Sequence, residues 1–387
     1  MIFYNYFGYA LIIFFLNRLG FKKRADFIDT EDIPGVSFIV AAYNEEDCIE
    51  KKIFNSLAQD YPSDKIEYIF ITDGSTDQTP AIIKQYPAVQ LFHRAERMGK
   101  TAAINRAVDQ AKNEILIFSD ANTLLNKHAT KNIVKHYSDP GTGGVAGEKR
   151  VIETTNSDEA AGSEGLYWRY ESFLKKIDSD FYSVVGAAGE LFSLRKSLYE
   201  PVPSKVILDD FVISLKVAQK GYRFVYEPGA YAMELPSFSI QDEQKRKIRI
   251  AAGGFQAIGM LWKLLLFWKN PRLSFLYISH RVLRWTTSPI CLVAALISNF
   301  LIIINSFSFF YTISFALQLA FYLASLTAYW SSKESKWHKM FKVAYYFVFM
   351  HISVIQGFFR FLHGKQSAAW EKAKRNSSIL LERHVSE

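Results

Sequence analysis

Three apolar runs near the end of the chain, residues 286–305, 309–330 and 343–361, constrain the fold more than any other feature of the sequence. A membrane-crossing helix needs about 20 mostly apolar residues, within a range of about 17 to 25. All three runs meet that length and read as membrane helices. A fourth run, residues 2–19, is interrupted only by Asn5, Asn17 and Arg18 and is followed by Lys22, Lys23 and Arg24. A cleaved signal peptide places its positive charge before the apolar run and ends it with small residues. Here the charge follows, which favours a retained anchor with the next segment on the cytoplasmic side.

Between these ends the character is that of a soluble domain. The chain is 49% hydrophobic and 16% aromatic over 387 residues, enough for a full core and against disorder as the main state. The net charge of +8 is concentrated: residues 241–285 hold nine Lys and Arg against two Asp and Glu. Beside a membrane span such a stretch is read first as a positive-inside and lipid-facing segment, not as a nucleic-acid site. Cys48 and Cys291 are far apart and define no disulfide framework. The organisation expected is an anchor over 1–24, a cytosolic domain over 25–240, basic and interfacial helices over 241–285 with an interfacial helix at 255–268, membrane helices over 286–362 and a tail over 363–387. The loop lysines Lys333, Lys336, Lys339 and Lys342 agree with an internal loop. Lys365, Lys372, Lys374 and Arg375 in the tail do not agree with a third complete crossing.

From residue 35 to 151 short β-branched and aromatic runs alternate with helical patterns: VSFIVAA, then a helix; IEYIFIT, then a helix near 79–85; VQLFHR, then a helix from Gly99; ILIFS after that. This predicts an α/β domain with a mostly parallel, Rossmann-like sheet. Ligands in such sheets lie off the carboxyl ends of the strands. The sequence places Ala42-Tyr43-Asn44-Glu45, Asp73-Gly74 and Asp120-Ala121-Asn122 at three such ends.

Asp120 and Asn122, two residues apart on an extended segment, would present two oxygens on one face, suited to a hard cation such as Mg²⁺ or Mn²⁺. Alone, the pair reads equally as a turn, and so does Asp73-Gly74. Together with Tyr43, Glu45 and the helix-opening Gly99-Lys100-Thr101 they make a cluster that turn chemistry does not require. The motifs V-A-A-Y-N-E-E, T-D-G-S-T-D, G-K-x-x-A-x-N and D-A-N, in that order, resemble the nucleotide-binding half of family 2 glycosyltransferases with the GT-A fold, in the membrane branch of cellulose and hyaluronan synthases. The resemblance implies that Ala42, Tyr43, Glu45 and Asp73 hold the nucleoside, that Lys100 meets the donor, and that Asp120 and Asn122 meet metal and diphosphate. Asn122 stands where many relatives carry a second carboxylate.

Further along, Gly186-Ala187-Ala188-Gly189-Glu190 is similar to the family's acceptor-side loop, which puts Gly189 and Glu190 at the acceptor. Leu208-Asp209-Asp210 lies where the family carries its general base, which makes Asp210 the base and Asp209 the neighbour that raises its pKa by like-charge repulsion. Acidic residues also commonly open helices. The family's Q-x-x-R-W motif is altered: Arg246 and Arg249 fall in its place and can pair with a diphosphate, but Ile250 stands for the tryptophan. That loss argues for addition of one or a few sugars to a saccharide or lipid-linked acceptor, with a processive chitin, hyaluronan or poly-N-acetylglucosamine type synthase as the alternative. The resemblance further implies a UDP-sugar donor and a bacterial inner membrane with the catalytic domain in the cytosol. A non-catalytic nucleotide-sugar-binding membrane protein is the rival from another class. No G-x-G-x-x-G follows the first strand, against a dehydrogenase.

Overall fold

The computed structural model describes residues 1–21, 33–152, 160–235, 240–331 and 335–364, without the side chains of 160–166, 240–241 and 339. Lys22, Lys23, Arg24, Lys333 and the tail cations Lys365, Lys372, Lys374 and Arg375 lie outside the described residues, as does the side chain of Lys339.

The chain opens with a helix whose middle is α1 (Tyr9–Leu16). One face is docked: Tyr9 and Ile13 are buried, and the Tyr9 hydroxyl donates to Asp178 Oδ1 at 2.5 Å. Phe3, Phe7, Leu11 and Phe15 on the other face are exposed. The run expected as a free anchor is therefore half docked on the body, and only its outer face keeps an anchor's apolar surface.

Strand β1 (Val36–Ala42) shows why the sheet forms. Successive side chains point to opposite faces, so Phe38 and Val40 join one apolar cluster with Ile49 and Ile53, while Ile39 joins a second with Ile104 and Ala107. Burial on both faces makes the strand an unbroken apolar run. The order continues α2 (Ile49–Leu57), β2 (Ile66–Asp73), α3 (Thr79–Lys84), β3 (Gln90–Arg94), α4 (Lys100–Gln110), β4 (Ile115–Asp120), β5 (Leu124–Leu125), α5 (Ala129–Val134), β6 (Thr142–Val151), α6 (Ala160–Phe181), β7 (Leu191–Arg195), α7 (Asp209–Gln219) and β8 (Arg223–Glu234). The strands pair in the order β3-β2-β1-β4-β7-β6-β8-β5. β1, β2, β3 and β4 are mutually parallel, as are β6 and β8, while β7 runs antiparallel to β4 and β6, and β5 antiparallel to β8.

The sheet is thus mixed and mostly parallel. Strand succession reverses direction between β1 and β4, so the crevice off their carboxyl ends is the place where a ligand fits without crossing a connection.

Beyond the sheet, α8 (Ile240–Met260) leads to an exposed aromatic turn with Trp262, Phe267 and Trp268, and then to α9 (Pro271–Tyr277), which runs through the turn Ile278–Val282 into α10 (Leu283–Trp285). The single interfacial helix expected over 255–268 is not formed. The helix stops at Met260, and within it Phe255 packs on α13 (Lys336–Leu362), against Phe358 with ring centroids 5.1 Å apart. Between them, α11 (Thr287–Asn305) and α12 (Phe309–Trp330) form a hairpin. These two, with Met340–Leu362 of α13, are long and apolar enough to cross a membrane.

Candidate active site

The loops after β1 and β2 are built as one unit. Asn44 adopts a left-handed conformation with φ 53°, which asparagine tolerates better than most residues, and its Oδ1 accepts from Thr76 N at 2.8 Å. Glu46 Oε2 accepts from Gln78 N at 2.9 Å, and Thr79 Oγ1 from Glu45 N at 2.8 Å. The motifs Y-N-E-E and T-D-G-S-T-D therefore interlock, which explains the residue types beyond any ligand contact. Gly74, at φ 70°, lies where a Cβ would come within 2.5 Å of the Arg97 Cβ.

This unit walls a crevice lined by Ala42, Tyr43, Glu45, Asp73, Lys100, Asp120 and Asn122, so the residues expected at the donor do come together. Asp73 is held by the chain itself: Oδ2 accepts from Met98 N and Gly99 N at 2.8 and 2.6 Å, and Oδ1 from Arg106 Nη2 at 3.0 Å. Arg97, which the sequence did not single out, lays its guanidinium 3.7 Å from the centroid of the Tyr43 ring. Only its place just before Gly99-Lys100 hinted at a role.

Asp120 ends β4, and Lys100 Nζ donates to its Oδ1 at 2.5 Å. The chain turns at Ala121, and the Asn122 amide nitrogen faces Glu234 Oε1 at 3.4 Å. Asp120 and Asn122 thus do not share the one extended segment expected from the sequence, yet both line the crevice. Lys52, fully buried beneath, fixes that turn through bonds to Ser119 Oγ at 2.6 Å and Thr123 O at 3.0 Å.

Gly189 brings the second half of the chain to the same spot. A Cβ placed there would lie 3.2 Å from Lys100 Nζ, 3.3 Å from Asp210 Oδ2 and 3.8 Å from Asp120 Oδ2. Asp209 and Asp210 open α7, with Phe211 N donating to Asp210 Oδ1 at 2.8 Å. Burial first, and the adjacent Asp209 charge second, push the Asp210 carboxyl up to about 7. Asp120 is also raised, by burial above all. For Lys100 burial works against the ammonium, but Asp120, Asp209 and Asp210 outweigh it and hold its pKa above the usual range. Asp209 is buried with Oδ2 unpartnered.

Arg246 and Arg249 line the cleft with Asp120 and Asp210. Arg246 Nε lies 3.1 Å from Glu243. Glu190 is bound by Lys149, which also pairs with Glu234 and lies over the Trp168 ring. Ile250 provides no aromatic wall, yet Trp168 and Trp285 line the cavity beside it and Asp210. These aromatic side chains come from α6 and α10.

As a metal site the set is sparse. No group of three His, Cys, Asp or Glu able to hold an ion occurs among the described residues. Asp120 offers hard carboxylate oxygens suited to Mg²⁺ or Mn²⁺. Such an ion fits here when a diphosphate contributes further oxygens.

The mixed, mostly parallel sheet and its reversal in strand order define a GT-A type fold. Residues 37–202 match the model of the family described as Glycosyl transferase family 2. The chain is similar to the poly-beta-1,6-N-acetyl-D-glucosamine synthase of Staphylococcus aureus, 29% identical over 251 residues, 62% of this chain and 59% of the relative. It thus spans about three fifths of the length of that relative. With the synthase of the same description from Staphylococcus epidermidis it shares 27% identity over 326 residues, 78% of this chain and 74% of that one. Among solved structures, a mannosyltransferase from Pyrobaculum calidifontis in complex with GDP-Man and Mn²⁺ superposes with a TM-score of 0.69 at 24% identity, covering 93% of this chain and 96% of that one. This last likeness concerns the fold.

Proposed function

We propose that the protein is an inverting glycosyltransferase that moves a sugar from a nucleoside diphosphate donor, a UDP-sugar, to an acceptor presented from the membrane side. The observation that carries this reading is the convergence of Lys100, Asp120 and Asp210 on the side-chain-free space at Gly189. Ala42, Tyr43, Glu45 and Asp73 form the nucleoside wall. Lys100 and Arg249 face the diphosphate, with Asp120 and Asn122 toward its metal. Bound Mg²⁺ or Mn²⁺ would neutralise charge growing on the departing diphosphate.

Asp210 accepts the proton of the acceptor hydroxyl as its oxygen bonds to the donor's C1 and the bond from C1 to the diphosphate oxygen breaks. A base with a pKa near 7 is matched to neutral operation. Gly189 leaves room for the sugar, and Glu190, fixed by Lys149, borders the acceptor. Asp120 is held by Lys100 and Glu190 by Lys149, which leaves Asp210 as the base and favours a single displacement with inversion at C1. An α-linked UDP-sugar should thus give a β-linked product, read from its anomeric coupling constant. An α-linked product would sink the single-displacement reading.

The names of the staphylococcal relatives favour a second reading, in which the same site extends a polymer of N-acetylglucosamine. The aromatic walls of Trp168 and Trp285 are compatible with it, and product sizing separates the two. Three candidate spans and a basic internal loop favour an integral protein of a bacterial inner membrane, its catalytic domain in the cytosol.

A further inference from the structure

The cleft beside Asp210 does not end there. A cavity of ≈ 190 Å³ runs from Asp210 between α6, α8 and α13, and shares Tyr167, Arg281, Trp285, Met350 and Val354 with a second cavity of ≈ 290 Å³. The second reaches Val343 and Phe347, inside the stretch of α13 able to cross a membrane. One end of this passage is charged and the other is dominated by aromatic and aliphatic side chains.

Lys175 lines the charged end and is only 4% exposed. It makes no hydrogen bond or ion pair among the described residues, unlike the cations around it. Lys149 pairs with Glu190 and Glu234, Lys247 with Glu243, and Arg281 with Glu171. Arg284 draws on the same Glu171, at 2.7 Å, so this one carboxylate serves two guanidinium groups. Burial first, and Arg281 second, lower the Lys175 pKa, against the weaker pull of Glu190, Glu171 and Asp210. An ammonium in a largely buried cavity without a direct partner is costly. Its position in a passage rich in cations is accounted for if a bound anion completes it.

We propose that the acceptor is a lipid-linked saccharide whose phosphate pairs with Lys175 and Arg281, whose terminal hydroxyl reaches Asp210, and whose apolar chain lies along α13 in the second cavity. The proposal rests on the transfer reading above and concerns the acceptor that receives the first sugar, whatever the final product length. The hydroxyl oxygen gains the bond to C1, its proton goes to Asp210, the nucleoside diphosphate leaves, and the lipid phosphate is unchanged.

The test is binding to the full chain in maltoside micelles, with dodecyl phosphate, dodecanol and inorganic phosphate as probes and UDP as a separate control. Charged hydrogen bonds to phosphate predict that dodecyl phosphate binds at least about ten-fold more tightly than dodecanol. It should also bind more tightly than inorganic phosphate. Lys175→Met should erase most of that preference while leaving UDP binding intact, and Lys175→Arg should restore it. Equal binding of dodecyl phosphate and dodecanol, or an unchanged preference in Lys175→Met, would overturn the proposal. Inorganic phosphate binding as tightly as dodecyl phosphate would overturn it too, since the site would then hold free phosphate and not a lipid. Failure of the wild-type chain to bind UDP would count against the donor reading, and the lipid comparison would still decide this one.

Discussion

Asp210 and Lys52 are buried ionisable groups held near neutrality from opposite sides. Asp210 is raised from 3.8 to about 7, so the folded protein keeps a proton there that the unfolded chain releases near pH 4. The stability from this group is lost as pH rises from about 4 to about 7. Lys52 is lowered from 10.5 to about 7 by burial. Its charge burdens the fold below pH 7, and the burden is relieved as pH rises from about 7 to about 10.5. Lys52→Met should therefore raise the midpoint of thermal unfolding by more at pH 6 than at pH 9. It should also slow turnover severalfold, since Ser119 and Thr123 lose the ammonium that fixes the Asp120 turn. Equal shifts at both pH values would contradict this account. For Asp209→Asn, the acid limb of kcat/KM, expected near pH 7 in the wild type, should move to lower pH because the like charge beside Asp210 is gone. A limb that stays in place, in a pH–rate profile, would remove Asp209 from the tuning of the base.

At the scale of elements, helices and turns differ in how openly the sequence announced them. The strand-end motifs were legible because each falls where an apolar run stops, and the interlocking bonds of Asn44, Glu46 and Thr79 turn that pattern into geometry. β8 was not legible, since Pro228 and Gly229 interrupt its alternation at the register shift against β6. The aromatic wall was invisible for another reason: Trp168 and Trp285 sit on α6 and α10, more than a hundred residues apart, and nothing local marks them as neighbours. The crossing of α8 and α13 depends on small residues. A Cβ at Gly357 would meet the Ala251 Cβ at 2.5 Å, a close approach of the kind small residues permit between packed helices. Gly357→Leu should separate the two helices, lower thermal stability in detergent by several degrees and reduce transfer, while UDP binding falls by less than transfer, because only Arg249 of the proposed donor contacts lies on the displaced helix. A loss of UDP binding equal to the loss of transfer, measured by titration, would contradict this division between the two ends of the cleft.

Taken whole, the proposed reading makes the molecule a passage with its chemistry at the midpoint. The crevice at β1 and β4 would take the nucleotide sugar, Asp210 stands between, and the cavities between α6, α8 and α13 lead to helices able to cross a membrane. The central claim is that Asp210 removes the acceptor proton, and the direct measurement is UDP release and labelled-sugar transfer by Asp210→Asn beside the wild type, with donor affinity determined for both. The account predicts that transfer falls by about 10²-fold or more, the usual worth of a general base. UDP-sugar should bind with near-normal affinity, and the variant should unfold at higher temperature than the wild type at pH 8. Wild-type turnover in Asp210→Asn at unchanged affinity would contradict the account.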